Sequence, residues 1–434
     1  MIRKDVVRAL ASPTKGVRYA VLTGFLGLLL FVVGTSLTFG SYIQRLFDRL
    51  DARIDNFFAL FIPQDLVSTT THLFSGLLIF IGFALAYYGF RTAYHRLVET
   101  LSPNRKSGVV DNYLRRRVLA QGPNIVAIGG GTGLSTLLRG LKEYSSNITA
   151  IVTVADDGGS SGRLVKEMGI IPPGDIRNCL VALAEAEKSM TALFQHRFKS
   201  DAGPLSGHSV GNLLLAALVS QNGNDFEKAI AAASDVLNIR GRVVPSTLQE
   251  VRLRALMLNG TEICGESAIT ESKLGIQRIF IDPDDPKAYE AAVTAIKTAD
   301  LICIGPGSVY TSVIPNLLVP GIADALKASE VPRVYICNVM TQPGETDSFS
   351  AFGHAQAIIG AVGPGLFDYV MVNTAMPPQE VLDRYEAAGA EIVEPDVDRI
   401  RESGLKVISG DFMSSTDLVR HNQTRIAARL VQLA

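Results

Sequence analysis

"NIVAIGGGTGLSTLLRGL", Asn124–Leu141, decides the fold. A short apolar run ends in glycines, and leucines then recur at helical spacing. That reads as a strand, a tight loop and a helix start. Such a loop lets backbone N–H groups approach an anion, and the helix dipole favours negative charge there. Gly130, Gly131, Thr132 and Gly133 are therefore candidate phosphate-binding residues. The loop lacks the lysine of a P-loop, which disfavours triphosphate hydrolysis of that type. It also misses the G-x-G-x-x-G spacing, because Leu134 stands where the third glycine belongs. That weakens a dinucleotide reading without removing it.

After Asn124 the chain alternates apolar β-rich runs with helical stretches, as a parallel sheet with crossover helices does. The fold class expected is α/β, a Rossmann-like, doubly wound, mainly parallel sheet. Strands are expected at Ile125–Ile128, Ile148–Val154, Leu301–Ile304, Val334–Asn338, Tyr369–Val372 and Lys406–Ile408. Asn259-Gly260 signals a β-hairpin, and a helical insertion is expected from Lys188 to Val236. Ligands of open α/β sheets bind beyond the carboxyl ends of the strands. There the sequence places "GGGTGLS", "ADDGGSSGRL", "GPGSVYTS" and "NVMTQPGET", converging on one rim.

The second loop carries Asp156 and Asp157, a pair able to hold Mg²⁺ against phosphate oxygens, to bond a sugar or base, or simply to form a turn. The third supplies Gly307 and Ser308, a second glycine turn fit for the other half of a diphosphate or for capping the next helix. "PPGDIRN" adds Asp175 and Arg177, "SGHSVGN" adds His208 and Asn212, and "NIRGRVVPST" adds Arg240 and Arg242. Each can serve anion or ligand recognition, or act in an ion pair, a cap or the surface. No Ser-His-Asp spacing emerges, and no catalytic nucleophile can be named.

The chain opens differently. Tyr19–Gly40 and Leu66–Phe90 contain no Asp, Glu, Lys or Arg, and each meets the roughly 20 residues a transmembrane helix needs. Arg3, Lys4, Arg8, Lys15 and Arg18 precede the first run, and Arg91, Arg96, Arg105, Lys106 and Arg115-Arg116-Arg117 follow the second. The positive-inside rule then puts both termini and the main domain on the cytoplasmic side, with a short external hairpin. Residues 1–100 are read as a two-span anchor, 101–123 as a linker and 124–434 as the binding domain. Membrane lipid is thus an expected partner, met by the spans and by the arginine run. With 41 Lys+Arg against 42 Asp+Glu there is no basic excess, which argues against nucleic acid. The four cysteines form no C-x-x-C pair; Cys303 and Cys337 lie in apolar runs as small hydrophobes.

The loops quoted above, together with "GHSVGNLLLAAL", "RVVPST" and "GPGSVYTSVIPNLLVPGI", resemble the YvcK-type gluconeogenesis factors, relatives of the CofD-type 2-phospholactate transferases. The resemblance spans about Asn124 to Asn373, with a looser tail. It implies a nucleotide-diphosphate-binding domain in which Gly131, Thr132 and Gly133 meet the diphosphate, with Gly307, Ser308 and Asn316 nearby. Asp156 and Asp157 would face the acceptor or metal side. The YvcK side implies a regulator that binds a UDP-sugar, with UDP-N-acetylglucosamine foremost, tied to cell shape and peptidoglycan supply during gluconeogenic growth. The CofD side implies a transferase acting on a deazaflavin with Mg²⁺. An NAD-binding oxidoreductase is the third reading. Self-association and a cell-wall regulatory partner stay open.

Overall fold

The computed structural model describes residues 116–434, apart from 186–187, 200 and 415–418, together with part of 44–88. The chain divides into two units, residues 1–109 and 110–434.

In the second unit, β1 (Ile125–Gly129), β2 (Ile148–Val152) and β3 (Arg242–Pro245) run to one side. The chain then leaves the sheet for β4 (Arg252–Met257), β5 (Glu262–Cys264) and β6 (Ile276–Asp282), and returns as β7 (Leu301–Ile304) on the other side of β1. β8 (Arg333–Ile336), β9 (Tyr369–Asn373) and β10 (Lys406–Gly410) extend that side. The resulting seven-stranded order is β10-β9-β8-β7-β1-β2-β3, with every pairing parallel. β7 is the middle strand with β1 beside it, and the direction of winding reverses between β1 and β7. That reversal is where a doubly wound sheet opens a crevice.

The inner strands β1 and β7 are apolar and buried along their length because both faces are covered. Val126 and Ile128 point into one core, with Ile302, Ile304 and Tyr335. Ile125 and Ala127 point into the other, with Leu301, Cys303 and Leu137. Cys179, Cys303 and Cys337 are buried and free, so the small-hydrophobe reading of the latter two holds. The hairpin about Asn259-Gly260 forms as β4 and β5. The insertion is helical at Lys188–Gln195, Val210–Gln221 and Phe226–Leu237. Two strands escape the sequence reading. β3 is four residues ending in proline, and β6 pairs antiparallel with β4 rather than joining the main sheet.

Of the two apolar runs near the start, Tyr19–Gly40 lies outside the described residues, and Leu66–Phe90 is described only in part. Among the described residues no single helix is long and apolar enough to cross a membrane. One pair, Val309–Leu317 and Pro320–Lys327, passes on length and composition but bends by 79°; its Val313, Leu317, Ile322 and Leu326 are fully buried core. In the first unit, much of the connection between the two runs is helical, and Phe58 packs edge-on against Phe74 at 5.6 Å. Thr71 donates to Asp55 across the turn at 2.6 Å.

Candidate functional site

The carboxyl ends of β1 and β7 bring the two glycine turns into contact. Gly305 N–H donates to the Ile128 carbonyl at 2.8 Å. A side chain at Gly133 would lie 2.5 Å from the Pro306 carbonyl oxygen, so the turns pack backbone to backbone. The first-turn N–H groups of the helix Gly131–Leu141 have no acceptor within the helix. One is already used: the Asp175 carboxylate accepts from Gly131 N–H and lies where a Gly130 side chain would sit. Thr132, which is exposed, and Gly133 are left to meet a ligand from the open side.

Asp175 belongs to a carboxylate group that sequence spacing did not reveal. Its neighbours in charge are Asp156 from the β2 turn and Glu266 from the helix Glu266–Ser272, and Glu266 in turn feels Glu345 from the β8 loop. Burial, then the charge of Asp156, pushes Asp175 up to about 6. Burial, then Asp156, Asp175 and Glu345, pushes Glu266 up to about 9. Burial pushes Glu345 up to about 7 despite hydrogen bonds from Ser308 and Thr270. The segment carrying Glu266 is pinned at both ends: Ser267 N–H donates to Asp157 Oδ1 at 2.9 Å, and Thr270 bonds Glu345.

These carboxyls hold protons that the unfolded chain releases above its ordinary carboxylate range near pH 4. Their folded pKa values are raised, so their contribution to stability is greatest below that range and declines as pH rises toward 9. The unfolding free energy is accordingly expected to fall between pH 5 and 9, and Glu266→Gln to flatten that slope and exceed the wild type at pH 9. Urea titrations at several pH values check it; parallel slopes for the two proteins would contradict it.

Several residues singled out in the sequence have other work. Asp157 Oδ1 accepts from Ser267 N–H, whereas Asp156 Oδ1 accepts from Gly158 N–H at 2.9 Å. Among the described residues no group of three or more His, Cys, Asp or Glu side chains has metal-holding geometry. Gly307 N–H and carbonyl are both taken by the Asn338 side chain, at 3.2 and 2.8 Å. Ser308 caps the following turn through Thr311 N–H and bonds Glu345. Asn316 is fully buried and its amide donates to the carbonyls of Gly129 (3.1 Å) and Ser312 (2.8 Å), tying the end of β1 to the segment after the second turn.

His208 and Asn212 are buried behind the rim, both on the Ser160 hydroxyl, at 3.0 and 3.1 Å. Burial, then Arg163, lowers the His208 pKa, which keeps that imidazole neutral. Arg177 donates to Ser209 Oγ and to Asn178 Oδ1, not to Asp175. Arg240 corrects the sequence reading outright. It pairs with Glu185 and donates to the Lys142 carbonyl at 3.1 Å, just before β3, at the amino end of the sheet.

Size alone points away from this rim. Cavities of about 690 and 670 Å³ lie at the amino ends of the strands, one beside Asn124, Thr149 and Arg242, the other beside Arg333, Tyr369 and Lys406. Neither borders a glycine turn. In the second, Arg333 is committed to Asp368 and Lys406 lies over Tyr369. The rim itself opens into a cavity of about 160 Å³ beside Thr132, Gly133 and Asn338. We take this rim as the candidate site, because the two glycine turns meet there, where the winding reverses.

Residues 125–413 match the family described as 2-phospho-L-lactate transferase CofD. A gluconeogenesis factor of Halalkalibacterium halodurans is 49% identical over 310 residues, covering 71% of this chain and 96% of that protein. The gluconeogenesis factor of Bacillus subtilis is 46% identical over 316 residues, covering 73% and 99%. A crystal structure of a UPF0052 family member from Bacillus halodurans superposes with a TM-score of 0.69 at 48% identity, over 72% of this chain and 99% of that one. With two thirds of its length inside one family and near-complete relatives at such identity, the chain belongs to the CofD family and, within it, to the gluconeogenesis factors.

Proposed function

We propose that the protein is a membrane-anchored regulator that binds a UDP-sugar, UDP-N-acetylglucosamine foremost, on the rim between β1 and β7. The observation that carries this reading is the meeting of two glycine turns at the reversal of winding, where the helix Gly131–Leu141 begins. Backbone donors at a helix start suit a diphosphate, and membership among the gluconeogenesis factors fits regulation of carbon supply to cell shape and peptidoglycan. The partly protonated acids beside the turns repel an anion less than full carboxylates would, and can donate to sugar hydroxyls.

Anchoring is supported by the two uncharged runs, their basic flanks and large exposed apolar side chains such as Phe61 and Phe80, 75% and 72% exposed. Exposed apolar surface of that kind marks a membrane or partner contact. Both termini would then face the cytoplasm. Alkaline extraction of membranes should leave the chain in the pellet; release into the supernatant would sink the anchor.

Isothermal titration of the full chain in mild detergent is expected to give saturable binding of UDP-N-acetylglucosamine. Thr132→Ala, which removes a hydroxyl beside the first-turn donors, should weaken it about tenfold, the worth of one hydrogen bond. No binding by the wild type would end this reading. The family match favours a second one, transfer of phospholactate to a deazaflavin alcohol, and product formation from a guanosine-diphosphate-linked donor would establish it.

A further inference from the structure

β6 (Ile276–Asp282) closes one side of the small sheet β5-β4-β6 and pairs only with β4. On its other side no strand joins it among the described residues. A strand edge of that length, with its backbone donors and acceptors turned outward, is a template for another strand. Folded proteins guard such edges with prolines inside the strand, bulges and charged side chains. β6 has one irregularity, near its start opposite Leu256 and Met257, and Pro283 comes only after its last residue. What guards this edge, or fits it to a partner, is its charge.

Ile279 and Ile281 are buried in the core beneath the sheet. Arg278, Phe280 and Asp282 alternate with them and lie on the outer face, the two charged residues exposed. The Arg278 guanidinium lies 5.0 Å over the Phe280 ring. Neither Arg278 nor Asp282 forms an ion pair among the described residues. The arginines of the adjoining strand are committed elsewhere, Arg252 to Glu250 and Arg254 to Glu262. At the start of β6 two leucines stand out in solvent: Leu258, 72% exposed, whose N–H donates to the Gly275 carbonyl at 2.8 Å, and Leu274, 37% exposed.

We propose that the protein self-associates as a two-fold dimer through β6, the two copies pairing antiparallel so that their small sheets become one continuous sheet. A two-fold axis at Phe280 sets that ring opposite its own copy, sets Ile279 opposite Ile281, and sets Arg278 opposite the partner's Asp282 at both ends of the seam. Aromatic pairs and opposite charges across an antiparallel pair are stabilising, and like charges directly opposite are destabilising. The register is specified. A slip of one residue sets outer side chains against inner ones, and a slip of two leaves Asp282 facing Phe280 or Ile276 without its cation. The edge is thus self-complementary, which favours a second copy over an unrelated strand. None of this depends on what the glycine turns bind.

Sedimentation of the full chain in mild detergent is expected to show a dimer. Arg278→Asp sets an acid against the partner's Asp282 at both ends, and Asp282→Arg sets two arginines there. Each should weaken dimerisation about 10- to 100-fold. The two reversals combined restore opposite charges and should recover most of the lost affinity. Both residues are exposed, so an unchanged circular dichroism spectrum checks that the variants fold. In membranes, Phe280→Cys on a Cys264→Ser background should give a disulfide-linked dimer on mild oxidation, because directly opposed residues have Cβ atoms about 4.5–5.5 Å apart. The native Cys264, exposed on the far edge strand β5, would lie about five strand spacings from its copy, roughly 24 Å, and should not cross-link. A monomeric wild type overturns the proposal and leaves the edge to a strand of another protein. A dimer that both single reversals leave intact, or that the double reversal fails to recover, is held by another surface and overturns it as well. So does cross-linking through Cys264 with none through position 280.

Discussion

Gly133→Val is expected to abolish nucleotide binding and to destabilise the domain. Even the first carbon of the new side chain would sit 2.5 Å from the Pro306 carbonyl oxygen, 2.8 Å from its carbon and 3.1 Å from the Gly307 Cα. All three are backbone atoms, so no rotamer change relieves the contact. The turns of β1 and β7 must separate. Overpacking of this kind costs about 1–3 kcal/mol or more. Separation also disperses the donors that a diphosphate would share. Loss of two charge-assisted bonds at about 1.5 kcal/mol each weakens binding on the order of 100-fold. Titration with UDP and a denaturation curve read the two effects. Gly360→Ala, a helical position with nothing within 4 Å of the added carbon, is the control and should be neutral or slightly stabilising. Tight binding by Gly133→Val would mean that the two turns do not form the site.

The second large effect is expected from Gly140→Ala. Gly140 lies in the helix Gly131–Leu141, and the added carbon would run into the Gln423 carbonyl group at the start of the last helix, 2.8 Å from its carbon. Alanine would favour the first helix by about 1 kcal/mol. Against that stands the docking of Gln423–Leu430, which buries Ile426, Ala427 and Leu430 completely. Full burial of an Ile or Leu is worth about 1.5–3 kcal/mol, so the undocking term wins, by about 2–4 kcal/mol. Amide hydrogen exchange should lose protection selectively over residues 423–430. Binding should weaken as well, because Arg420 and His421, which line the cavity beside Thr132 and Gly133, lead into that helix and are held by Asn422 N–H on the Phe412 carbonyl at 2.6 Å. Unchanged protection in the last helix would show that it yields to the methyl without undocking.

Much of the framework was legible because it depends on local pattern. Apolar runs of strand length bounded by glycine or polar residues marked six of the seven parallel strands, and Asn259-Gly260 marked the hairpin. β3 was not legible. "RVVP" is too short for periodicity, and its arginine drew attention as an anion ligand. β6 alternates plainly, yet its partner β4 lies across a hairpin and a helix. For the site, the glycine turns and their common rim were readable, since strand ends in a parallel sheet share an edge. Arg240 shows the limit. A charged residue in a sequence carries no direction, and the chain places this one at the opposite end, against Glu185. Asn316, His208 and Asn212 show another: a polar side chain near a motif can also hold turns and helices in place, as these do through Gly129, Ser312 and Ser160.

The sequence by itself determined the order of strands and helices, the glycine turns at strand ends, and the uncharged runs near the start, because propensity and periodicity act between near neighbours. Only the tertiary structure decided which anion sits against the first glycine turn within the protein. That anion is Asp175, in a group with Asp156, Glu266 and Glu345 drawn from four separate segments. It alone brought Arg420 beside Gly133, from the far end of the chain. Charges interact through space and change one another's proton affinity there, so neither partnership could be written in the spacing of the residues.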